Sequence, residues 1–142
     1  MRGEITIKQL ESVASIRRRI ARDEEELKAM EEELPCDVQA LSLSLNPSHS
    51  NFPRGIDGAL ASYIDKKDRY RQRILDRRRY LISLLEEIDR FISSLEDPRE
   101  QEIVELRCKE CLTFEEIACT MRYSRRTVTR TYYDVLRRNG LE

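Results

Sequence analysis

TFEEIACTMRYSRRTVTRTYYDVL, residues Thr113 to Leu136, decides the fold, because it carries two helix signatures with a short turn between them. Thr113 offers a hydroxyl to an unpaired backbone N–H, and Glu116 three residues on completes a capping box. Phe114, Ile117, Ala118 and Met121 then fall at helical spacing, which gives a short helix one apolar side. Arg122 and Tyr123 make the turn, and Ser124 caps a second helix. Val128, Tyr132, Val135 and Leu136 form its buried stripe, so Arg125, Arg126, Thr127, Thr129 and Arg130 point elsewhere. Two short helices at a sharp angle, the second presenting Arg and Thr at its first turns, predict a helix-turn-helix. Such a motif places those side chains in a DNA major groove.

Working outward, the segment Arg99 to Glu110, with Ile103, Val104 and Leu106 apolar, is expected to support that motif. Asp97 and Pro98 separate it from a longer element, and Asn139-Gly140 is a natural stop. From about residue 58 to 95, Leu60, Ile64, Lys67, Arg71, Ile74, Arg78, Leu81, Leu85, Ile88, Ile92 and Leu95 keep a three-four alternation. Tyr63, Tyr70, Leu84 and Phe91 widen this stripe on one flank. Residues 4–34 read as one further helix, with Val13, Ile20, Leu27 and Leu34 recurring every seven positions. Residues 35–57, with Pro35, Pro47, Pro53, Gly55 and several serines, read as a linker. Leu41, Leu43 and Leu45 alternate with serine there, and no second strand is evident to pair with them.

The expected architecture is therefore all-α. Residues 1–34 form an N-terminal helix, 35–57 a linker, 58–97 a long central helix for assembly, and 98–142 the helix-turn-helix module. Charge predicts how the long helices meet. Asp23 to Glu33 holds seven acids against Lys28, and Lys66 to Arg79 holds eight Lys or Arg against two Asp. Antiparallel pairing brings these blocks together, and it sets Arg17, Arg18 and Arg19 near Glu86, Glu87 and Asp89. Parallel pairing opposes like charges, so an antiparallel hairpin or coiled coil is expected, within one chain or across a homodimer.

A net charge of −1 over 142 residues conceals this segregation. Between Arg122 and Arg138 six arginines face one acid, Asp134, an electropositive block suited to phosphates. The sites assigned to DNA are Ser124, Arg125, Arg126, Thr127, Thr129 and Arg130, with Arg122, Tyr123 and Arg137 assigned to its backbone. Arg137 and Arg138 also suit the helix C-terminus, where cations complement the dipole. The basic block Lys66 to Arg79 is a second nucleic-acid candidate, though pairing with the acidic block accounts for it more simply.

No run of about 18 apolar residues is present, so no membrane span is expected. Without a signal-peptide core, a cytosolic protein of a bacterial host is expected, with its four cysteines reduced. Cys108 and Cys111 have metal-ligand spacing and Cys119 follows, but the one histidine, His49, lies far off in the linker. No metal and no cofactor are therefore expected. One histidine, scattered carboxylates and no phosphate-cradling glycine loop argue against an enzyme.

The C-terminal third resembles the fourth region of primary-type sigma factors, through REQEIVELR (Arg99 to Arg107), TFEEIA (Thr113 to Ala118) and YSRRTV (Tyr123 to Val128). The whole chain is similar to the small phage or prophage transcriptional regulators of the ArpU and RinA kind, best over about residues 58 to 138. Cys108 departs from their pattern where an aromatic is usual, and Arg122 where glycine is common. The resemblance implies a sequence-specific regulator of late phage promoters, with RNA polymerase as a partner beside double-stranded DNA. The rival expectations are a small-terminase-like packaging subunit, separable by a promoter reporter, and a helical interaction protein that binds no DNA.

Overall fold

The computed structural model describes residues 5–32 and 54–141. Six helices account for all regular structure among the described residues: α1 (Ile7–Leu10), α2 (Val13–Glu32), α3 (Arg54–Ser93), α4 (Pro98–Cys108), α5 (Phe114–Met121) and α6 (Arg125–Arg138). The all-α expectation is met. The leucine-serine alternation at residues 41–45, together with Cys36 and His49, lies outside the described residues. Two compact units divide the chain, one made of Met1–Arg18 with Arg79–Glu142 and the other of Arg19–Arg78.

The first unit holds the main core. Leu84, Ile88 and Leu95 contribute from α3 and its end, Ile103, Val104 and Cys108 from α4, and Ile117 from α5. The α6 stripe of Val128, Tyr132, Val135 and Leu136 closes against them, together with Leu10 and Val13. Asp97 caps α4 by accepting the Arg99 N–H at 2.9 Å, and Pro98 occupies the first turn, where its missing donor costs nothing.

The N-terminal helix differs from its expected form. Thr6 and Gln9 make a capping box that starts α1, the chain turns at Glu11, and the Ser12 hydroxyl donates to the Gln9 carbonyl at 2.8 Å. These side chains satisfy backbone groups that a continuous helix would pair internally, so α2 starts afresh at Val13. Similarly, α3 begins at Arg54 rather than about residue 58.

In the second unit α2 and α3 run antiparallel within one chain. Asp23 pairs with Arg77, Glu24 with Arg78, and Glu31 with Lys67 at 3.5 Å and Arg71 at 3.2 Å. The Tyr63 hydroxyl donates to the Met30 carbonyl at 2.6 Å. Higher numbers on α2 thus meet lower numbers on α3, as the charge blocks require. The apolar seam is thinner than the alternation suggested: Ile20 and Ile74 are buried, whereas Ile64 remains 46% exposed. Among the described residues Arg17, Arg18 and Arg19 form no ion pair with Glu86, Glu87 or Asp89. Arg17 donates instead to the Lys109 carbonyl at 2.6 Å, one of the acceptors left open at the end of α4, and Asp89 accepts from Lys109 at 2.7 Å.

Asp23 is only 5% exposed and has Arg73 at 4.0 Å beside its Arg77 partner. Replacing it with alanine removes a charge-assisted bond from a desolvated site, while the half-buried Arg77 regains some water. Asp23→Ala is therefore expected to lower stability by about 2 kcal/mol in urea unfolding. An unchanged midpoint would show that the α2–α3 register does not depend on it.

Candidate nucleic-acid interface

The helix-turn-helix is built from local rules that the sequence displays. The Thr113 N–H donates to Glu116 Oε2 at 2.8 Å and the Glu116 N–H to Thr113 Oγ1 at 3.2 Å, closing the expected capping box. Ile117 and Ala118 are buried, while Phe114 stands with its ring 5.5 Å from that of Tyr132, edge-on, beneath the Arg107 guanidinium. α5 ends at Arg122 in the left-handed region, φ 59°, a conformation that favours glycine. Arginine there costs on the order of 1 kcal/mol. The turn holds because its Arg122 and Tyr123 N–H groups both donate to the Ala118 carbonyl.

Ser124 caps α6 by accepting the Thr127 N–H at 3.2 Å, and its hydroxyl shares a 2.7 Å hydrogen bond with Thr127 Oγ1. The Thr129 hydroxyl turns back to donate to the Arg125 carbonyl at 2.8 Å. Both threonines are thus committed within the helix, a detail that spacing alone did not reveal. With Val128, Tyr132, Val135 and Leu136 buried, the opposite side of α6 is open. Arg125, Arg126, Thr129 and Arg130 line one shallow concavity on it.

The arginines of this block are not equivalent. Arg125 pairs with Glu115 of α5 at 3.2 Å, and both groups remain well exposed. Arg138 pairs with Glu100 of α4, which raises the pKa of its guanidinium and engages it with an acid of the protein itself. Arg122, Arg126, Arg130 and Arg137 are exposed and make no ion pair among the described residues. Arg99, at the start of α4, lies with its guanidinium carbon 4.9 Å from the centre of the Tyr123 ring. Neither Glu115 nor Arg99 carries a sequence signal for these contacts, since each meets its partner only through the packing of separate helices.

Cys108 lies in the core at the end of α4. Its thiol is buried, its pKa is pushed up to about 11 by that burial, and its sulfur lies 3.8 Å from the Tyr132 hydroxyl. The Tyr132 ring from α6 thereby covers the smaller residue. Among the described residues no three His, Cys, Asp or Glu side chains stand close enough to share a metal ion. No described helix is long and apolar enough to cross a membrane.

The ECF sigma factor family matches residues 48–139, a span that takes in α3 to α6. Comparison with the curated proteins and with the solved structures yields no match.

Proposed function

We infer the function from the premise that the chain belongs to the ECF sigma factor family, with a sigma-like, DNA-binding regulatory role. On that premise, the protein is a sequence-specific transcriptional regulator of phage or prophage origin that acts at late-gene promoters. The phage assignment rests on the likeness to the ArpU and RinA kind. The observation that carries the DNA reading is the open arginine face of α6, capped by Ser124 and anchored by a fully buried opposite stripe.

In this mechanism α6 enters the major groove and supplies most of the salt-dependent affinity through Arg126 and Arg130. Arg125, paired with Glu115, reads base edges, because the neighbouring carboxylate disfavours a phosphate there. Arg122, Tyr123 and Arg137 flank the groove on the DNA backbone. The protein performs no reaction of its own and needs no cofactor. It works in the cytoplasm as a homodimer that engages two half-sites, and it contacts RNA polymerase. Polymerase should co-purify with the protein on bound promoter DNA, and its absence would remove that element of the reading.

The decisive test is selection of bound duplexes from random DNA. A single enriched motif, with two-fold symmetry if a dimer binds, is expected, together with promoter-reporter output that depends on the motif. Recovery of no motif would overturn the assignment. Glu115→Gln offers a finer check. With the carboxylate gone, Arg125 is free to neutralise a phosphate, so affinity for random-sequence duplex should rise on the order of 3- to 10-fold at low salt. Fluorescence anisotropy showing no rise would mean that Glu115 does not restrain Arg125.

A further inference from the structure

Arg99 was not among the residues that spacing assigned to DNA, since it opens α4 and lies 26 positions ahead of α6. The fold nevertheless brings its guanidinium to the N-terminal end of α6. It stacks on Tyr123, the residue that precedes the Ser124 cap, at 4.9 Å from the ring centre. Arg99 makes no ion pair among the described residues, although Glu100 beside it is engaged by Arg138. The adjacent turn residue, Arg122, is also exposed. Two cations and a phenol, drawn from two separate parts of the chain, therefore gather where α6 starts.

The chemistry of that arrangement points to a phosphodiester. A guanidinium that lies over an aromatic ring has one flat face occupied, while its N–H donors project from the edges. Those edge donors form the fork that matches two phosphate oxygens. Stacking on Tyr123 thus fixes the group without using up what a phosphate needs. Position favours the backbone over a base. α4 is not continuous with the recognition helix, and a side chain reaching its end from a separate helix meets the groove's rim, where phosphates run.

We propose that Arg99, held against Tyr123, is a phosphate-binding residue for the DNA backbone at the rim of the groove that receives α6. The proposal rests on the DNA-binding reading above and adds to it a contact from the supporting helix. In this role Tyr123 is a positioning residue, and Arg99 contributes affinity that does not depend on sequence.

The test uses the full chain, the selected duplex and a scrambled duplex, titrated with salt. Arg99→Gln should flatten the slope of log affinity against log salt by about 0.9, the value of one phosphate contact on B-form DNA. It should weaken both duplexes by the same factor, leaving their ratio unchanged. Arg99→Lys should keep the slope because the charge is kept. Tyr123→Ala should flatten it in part. An Arg99→Gln slope equal to wild type overturns the proposal while leaving the function of α6 intact. A changed ratio between the duplexes overturns it as well, since it would make Arg99 a base contact. Wild-type protein that binds neither duplex at low salt overturns both this proposal and the reading beneath it.

Discussion

Arg126→Ala combined with Arg130→Ala should lower affinity for the selected duplex by about 100- to 1000-fold at moderate salt. Each side chain is exposed on the open face of α6, with no ion pair among the described residues. A charge-assisted contact to a phosphate or a guanine edge contributes roughly 1–3 kcal/mol, and two near the middle of that range give about 3–4 kcal/mol. Neutralising both should also flatten the salt slope by about 1.8 if both meet phosphates. The fold should be untouched, because alanine is a good helix former and neither side chain is packed. Anisotropy titrations at several salt concentrations measure the affinity, and thermal melting checks the fold. Wild-type affinity in a folded double variant would leave α6 as a solvated face and nothing more.

The largest stability effect is expected at Tyr132. Its ring is fully buried, edge-on to Phe114 at 5.5 Å and to Tyr133 at 5.4 Å, and its hydroxyl has Cys108 at 3.8 Å. Truncating a buried aromatic to alanine typically costs about 3–5 kcal/mol, from lost transfer energy and the cavity left behind. That is a large part of the roughly 5–15 kcal/mol that stabilises a domain. Tyr132→Phe removes only a hydroxyl whose protein partner is a weakly bonding thiol, so it should stay within about 1 kcal/mol of wild type. Urea unfolding separates the two. If phenylalanine proved as costly as alanine, the hydroxyl rather than the packing of the ring would be anchoring α6.

Sequence reading succeeded where the rule is local. Thr113 with Glu116 and Ser124 ahead of Arg125 each mark a helix start within four residues, and both form as read; Asp97 and Pro98, read as a break after the long element, also cap and open α4. The α6 stripe was legible because burial of Val128, Tyr132, Val135 and Leu136 follows from one helical period. The charge blocks gave the antiparallel sense of α2 and α3, since like charges make the other sense unfavourable.

What spacing left open depends on neighbours distant in the chain. Leu84, placed on the flank of the seam, is more deeply buried than Leu85, because α3 packs on several helices rather than on one partner. Ile64 had the right period yet stays largely exposed, since periodicity identifies a face but not what covers it. The turn at Glu11 carried a signal, the Thr6–Gln9 capping box, which lies ahead of Val13, the first position of the apolar heptad. At the candidate interface, Glu115 beside Arg125 and Arg99 over Tyr123 join separate helices, so no window along the chain contains either pair.

The most direct measurement of whether α6 enters a major groove is methylation interference on the selected duplex. Methylation at guanine N7 blocks an acceptor that lies only in that groove. If the arginine face reads bases there, duplexes methylated at guanines inside the motif should be depleted from the bound fraction, and those methylated outside it should not. Equal recovery of both would contradict the account, because a protein indifferent to N7 does not place Arg125, Arg126 or Arg130 against the major-groove edge.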